Sequence, residues 1–169
     1  LLLEGHILKR FNYKFQYEFQ GAGSRRLLDA YVDTPLASFV SFRLGQYKEP
    51  FSLEQVTADK NIPFAERSMG YYLTSGRDVG LMAHSGLWND RIFYAVGIFN
   101  GDGVDDTVGG DCCSPEVTGR LVFAPFKNRG LPLVDALQFG GSISYAKADR
   151  NNVNIQVQTT GLTTFFDVA

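Results

Sequence analysis

Residues Phe11 to Gln20 read F-N-Y-K-F-Q-Y-E-F-Q. Phe11, Tyr13, Phe15, Tyr17 and Phe19 take one set of alternate positions, and Asn12, Lys14, Gln16, Glu18 and Gln20 take the other. Period-two alternation over about ten residues is a β-strand with one wholly apolar face. An ordinary strand runs about 5–6 residues, whereas a tilted strand crossing a bilayer needs about 9–11. An unbroken aromatic rank suits a lipid-facing wall better than a compact core.

Working outward, the same texture recurs in Leu1 to Lys9, Arg26 to Thr34, Phe39 to Tyr47, Arg77 to Ser85, Arg91 to Phe99, Glu116 to Ala124, Ala136 to Lys147 and Val153 to Val168. Breakers separate these segments: Gly21-Ala22-Gly23-Ser24, Thr34-Pro35, Gly86 to Asp90, Asn100 to Gly103, Pro125 to Pro132 and Asp149 to Asn152. No helix-period segment of normal length intervenes, so the chain is read as all-β, about nine strands. Short links (Lys9-Arg10, Pro35 to Ser38, Gly86 to Asp90) alternate with long ones (Lys48 to Gly76, Asn100 to Pro115). Short turns on one rim and long loops on the other define an antiparallel up-and-down transmembrane barrel. The Pro125 to Asp135 link is longer than that rule prefers.

Composition agrees. The 169 residues are 44% hydrophobic and 14% aromatic, too apolar for a disordered chain. The net charge of -2 argues against a nucleic-acid partner. No apolar run approaches the roughly 18–20 residues of a membrane helix, which leaves a soluble globular domain or a barrel. The chain opens on Leu1-Leu2-Leu3 and stops inside strand-like sequence, so residues 1–169 are expected to be one domain, a partial barrel incomplete at both ends.

Segment 48–76 is too long for a structureless connection and carries Phe51, Phe64, Met69, Tyr71 and Tyr72. Ser52-Leu53-Glu54-Gln55 has capping-box spacing, so one or two helical turns are expected before Pro63. This loop is expected to fold back and pack inside the barrel.

Several stretches carry a family resemblance: Arg43 to Glu54 (RLGQYKEPFSLE), Phe64-Ala65-Glu66-Arg67-Ser68 and Gly76-Arg77-Asp78-Val79-Gly80. Leu28 to Asp33, Tyr94 to Gly101 and Thr118 to Pro125 support them. In order and spacing, from position 4 to about 126, the chain resembles the phosphate-selective porins O and P of Gram-negative outer membranes. The resemblance implies a sixteen-stranded, trimeric outer-membrane channel with a narrowed pore. It would pass small anions, with phosphate or polyphosphate the favoured cargo. It also implies outer-membrane lipid and lipopolysaccharide as surroundings, and neither cofactor nor chemical turnover.

Selecting anions needs fixed positive charge along the path. Side-chain parity turns Lys14, Arg43, Arg91 and Arg120 into the lumen, because an Arg or Lys on the lipid side costs roughly 2–4 kcal/mol at the midplane. Lys48, Lys60, Arg67 and Arg77 lie in or beside the long loop, and Arg67 and Arg77 also match the family motif. Arg is the better phosphate partner, since its planar fork binds two oxygens and stays charged. Any porin lumen is lined with charge, however, and Asp29 and Asp33 point inward by the same parity. Loop residues Glu49, Glu54, Asp59 and Glu66 dilute the field further, and Arg67 could pair with one of them to hold the loop.

Other signals are weaker. Asp102, Asp105, Asp106 and Asp111 lack a calcium-loop register. Cys112-Cys113 could form only a strained vicinal disulfide. A lipid-hydrolysing barrel would have to use Ser41 or Ser85 with His84, and a soluble antiparallel binding domain would use the aromatic face.

Overall fold

A computed structural model describes residues 1–8, 10–19, 27–57, 61–62, 67–72, 74–101, 115–128, 130, 134–147, 155–158 and 164–168. Eight strands form one sheet in sequence order: β1 (Leu2–Ile7), β2 (Phe11–Tyr17), β3 (Leu27–Ala37), β4 (Val40–Lys48), β5 (Arg77–Leu87), β6 (Ile92–Phe99), β7 (Glu116–Phe123) and β8 (Phe139–Tyr145). Every neighbour is antiparallel, the up-and-down order that the alternating links require. The segment Val153 to Val168, expected as one strand, instead contains two: β9 (Ile155–Gln158) and β10 (Thr164–Val168), paired antiparallel as a separate sheet. Gly161, a breaker midway through that segment, was the sequence signal for the division.

The two ranks of each strand separate as parity requires. Phe15, Ala30, Val32, Leu44, Leu81, Val96, Ile98, Val117, Leu121 and Ile143 fall on one face through successive register partners. Many of them are exposed, an apolar outer face of the kind expected of a lipid-facing wall. On the opposite face lie Lys14, Tyr31, Asp33, Arg43, Met82, His84, Ala95, Thr118 and Arg120. Register runs unbroken through Gly97, Gly119 and Gly141, so the sidedness of Arg120 survives the glycines around it. Shifts occur only near the ends of β2 and β3, at Gln16/Tyr17 and Pro35/Ala37, within the eight-stranded sheet.

The apolar core sits on the inner wall: Tyr47, Met82, Ala95 and Phe99 are buried, with Tyr31 packed against them. Phe99 lies across Gly80 and Gly97. A Cβ on Gly97 would stand 2.7 Å from the Phe99 ring. Tyr47 meets Phe99 and Tyr31 edge-on, at centroid distances of 5.6 and 5.8 Å. Small residues in the wall thus leave room for the Phe99 ring against the sheet.

The over-long Pro125 to Asp135 link has a physical account in its described residues. Ala124 N–H donates to the Arg91 carbonyl at 2.7 Å and Asn128 Nδ2 to the Asn89 carbonyl at 3.3 Å. The link therefore folds against the β5–β6 turn, whose residues Trp88, Asn89 and Asp90 all have positive φ.

Candidate functional site

The site is the inner wall of β2–β8 together with loop 49–76. The loop's neck is closed by a backbone bond from Glu49 N–H to the Gly76 carbonyl at 2.9 Å. Two single-turn helices follow, α1 (Leu53–Val56) and α2 (Met69–Tyr72). The Ser52 capping signal marks the start of α1 correctly, since Ser52 is its N-cap, but its side chain makes no capping hydrogen bond. Gln55, buried, donates to the Tyr71 carbonyl at 3.4 Å, and Ser68 Oγ donates to Glu54 at 2.6 Å, so the two turns are tied together.

Polar contacts hold the described ends of the loop to the inner face of β7. Thr118 on β7 donates to Glu49 Oε2 at 2.9 Å, and Arg120 Nη1 donates to the Phe51 carbonyl at 3.2 Å. At the other end of the loop Ser75 Oγ donates to Glu116 Oε1 at 2.9 Å. Three contacts on one inward rank of β7 thus anchor both ends of the loop across the lumen face.

The basic candidates fall into distinct settings. Lys14 Nζ and Arg77 Nε both reach Asp29, at 2.9 and 2.8 Å, and Lys14 also lies 3.9 Å from Glu4. Arg43 grips its cross-strand partner Asp33 with Nε at 3.0 Å and Nη2 at 2.6 Å, while its guanidinium stacks on Tyr31 at 4.4 Å and on Tyr47 at 5.5 Å. His84 Nε2 meets the same Asp33 oxygen at 3.0 Å. Arg67 spans the loop, donating to the Glu54 and Thr57 carbonyls and stacking on Tyr71 at 4.4 Å. Through these carbonyls it serves as a staple of the loop; Asp59 and Glu66, two of the carboxylates expected to pair with it, lie outside the described residues.

Arg91 precedes β6 in the β5–β6 turn, and its Nε lies 3.4 Å from the Lys127 carbonyl, so it belongs to the short-turn rim. Lys48 ends β4 opposite Arg77. Lys60, Phe64, Glu66, the Asp102 to Asp111 acidic run and Cys112-Cys113 lie outside the described residues.

Sequence reasoning missed the buried acidic side of the wall. Glu49, Asp78 and Glu116 are all buried, and Glu49 and Glu116 lie beside Thr118, which is 0% exposed. Asp78 accepts from the backbone N–H groups of Val79 and Gly101, both at 2.6 Å. Ser144 on β8 donates to Glu116. Burial drives the Glu49 carboxyl up from 4.5 to about 8; the Glu116 charge adds to the rise, and the Thr118 hydrogen bond opposes it.

The lipase alternative needs a nucleophile in contact with its base. Ser41 faces His84 in the register, but among the described residues no hydrogen bond joins them, and Ser85 Oγ turns to the Gly86 carbonyl.

With the inward loop and the two-faced sheet in place, comparison with known families decides the class. The profile of phosphate-selective porin O and P matches residues 1–164. The chain belongs to this porin family. The match extends beyond position 126, where the resemblance read from the sequence ends, and includes β8 and β9. Membership makes the chain an outer-membrane porin of Gram-negative bacteria, a channel wall for small solutes, and sets aside the soluble-domain alternative. No curated protein sequence matches the chain.

Proposed function

We propose that this porin chain contributes to an anion-selective diffusion channel, with phosphate as a preferred passing ion and no chemical turnover. The observation that carries this reading is the unequal exposure of the two signs of charge. Lys14, Arg43 and Arg77 keep 25%, 26% and 25% of their side-chain surface accessible, against 9% for Asp29 and 11% for Asp33. Glu49 and Asp78 are each only 2% exposed. At Asp29 and Asp33 a hydrated ion therefore meets ammonium and guanidinium groups while the carboxylates sit behind them; Glu4, beside Lys14 and 57% exposed, is the accessible carboxylate of this stretch. Arg120 faces the same lumen with a backbone carbonyl as its partner, which leaves its charge without a carboxylate in that contact.

β1 and β8 each have one neighbour in the eight-stranded sheet. In lipid an open edge leaves backbone groups unsatisfied at several kcal/mol each, so closure of the wall into a sixteen-stranded barrel by further strands fits this reading. Homotrimers embedded among lipid and lipopolysaccharide follow from the family pattern.

Phosphate added to the full-length protein in a planar bilayer is expected to block chloride current, and Arg120→Ala is expected to weaken that block about tenfold, the loss of one charge-assisted hydrogen-bond partner. Undiminished block in the variant removes Arg120 from the path. Absence of block in the parent leaves a general porin.

A further inference from the structure

The loop's neck joins two carboxyl groups that the anion path does not use. Glu49 stands just beyond the end of β4, and Glu116 opens β7. Thr118 Oγ1 donates to Glu49 Oε2 at 2.9 Å and lies 3.4 Å from Glu116 Oε1. Glu116 in turn receives Ser75, the last residue but one of the loop, and Ser144 of β8. The beginning and the end of the constriction loop are thus fastened to one patch of β7 through two carboxyls that share a hydroxyl.

Among the described residues, the groups that act on the pair include a further acid and several uncharged side chains. From β5 the facing group is Asp78, itself acidic; from β4 it is the Tyr47 hydroxyl. Lys48 adjoins Glu49 in sequence, and Arg77, opposite Lys48 in the register, is turned to Asp29. Arg120, two positions along β7 from Thr118, is turned to the Phe51 carbonyl. β6 presents Phe99 and β8 presents Ser144, both uncharged. Two ionised carboxylates in this dry patch would repel one another, whereas one proton between them turns repulsion into attraction.

We propose that the Glu49–Glu116 neck is a proton-operated latch on the constriction loop: with a proton on the pair both loop ends stay on β7, and its loss frees the loop and widens the pore. The inference rests on the family's channel function and on loop 49–76 being its constriction. A carboxyl raised from 4.5 to about 8 in the folded state lends stability that is fully present below about 4.5 and is lost as pH rises through about 8. The latch therefore closes on the acid side and opens on the alkaline side.

The test is single-channel conductance of the full-length protein in planar bilayers from about pH 6 to pH 9.5, around the folded titration. Conductance of the parent is expected to rise about twofold or more across that range. Glu49→Gln, which keeps the hydrogen-bond geometry without a titrating proton, is expected to hold the low value throughout. Glu116→Gln provides a second variant with the same expectation, should the first assemble poorly. A flat parent profile, or a rise of the same size and midpoint in both variants, overturns the latch. Absence of unitary current at every pH overturns the channel reading and the latch with it, whereas steady current independent of pH overturns the latch alone.

Discussion

Replacing Gly45 with alanine is expected to prevent, or severely weaken, assembly of the barrel. Gly45 has φ +131°, a region that L side chains rarely adopt. It sits in mid-strand between Tyr31 of β3 and Gly80 of β5. A Cβ there would collide with the Ala30 carbonyl oxygen and stand 2.7 Å from the Tyr31 Cα, both backbone atoms of the adjoining strand. Neither can swing aside as a flexible side chain would, so β3 and β4 must part. The forced conformation costs about 1–3 kcal/mol. Overlap in a packed wall adds roughly another 1–3 kcal/mol. Gly141→Ala is the matched control, because nothing lies within 4 Å of its added Cβ. Urea midpoints and the folded-barrel band on unheated gels read the outcome: a large loss for Gly45→Ala beside a near-neutral Gly141→Ala. Equal behaviour of the two variants would show that the β3–β4 approach is not as tight as described.

Asp29→Asn is expected to raise anion selectivity and lower stability together. Asp29 holds Lys14 and Arg77 at once, and the amide leaves both cations in the lumen with no negative charge between them. At 4 Å a unit charge is worth about 1 kcal/mol in water and about 4 kcal/mol at the effective dielectric of a protein surface. A severalfold rise in the chloride-to-potassium permeability ratio follows, screened as salt increases. Breaking a fully buried pair costs about 3–5 kcal/mol. The loss here should be smaller, because the two cations are about a quarter exposed. An unchanged or lower anion preference would mean that Lys14 and Arg77 do not border the ion path.

Much of this was legible in the sequence because a barrel strand declares both its faces. The alternation from Phe11 to Gln20 fixed the sidedness of Lys14, and the same parity carried Arg43 and Arg120 inward across strands far apart in the chain. What it could not reveal was pairing between distant residues. Glu49 and Thr118 are 69 positions apart, and their contact exists only because the loop folds back across two intervening strands, β5 and β6, onto β7. For the same reason the cations read as free charges in sequence, while the fold places Asp29 and Asp33 against them. Arg67 matched the family motif, yet a motif does not say whether a guanidinium faces an ion or its own loop's carbonyls. The aromatic anchors of the loop were visible, but the polar fastening at Glu49, Phe51 and Ser75 was not, since its partners are backbone and hydroxyl groups.

The central claim is that exposed cations, standing in front of sequestered carboxylates, set the sign of the current. The reversal potential of the full-length protein in a planar bilayer under a potassium chloride gradient measures that sign directly. The account predicts a reversal potential displaced toward the chloride equilibrium value near neutral pH, declining as salt screens the wall charges. Displacement toward the potassium value would contradict it, because the buried carboxylates would then be governing the path.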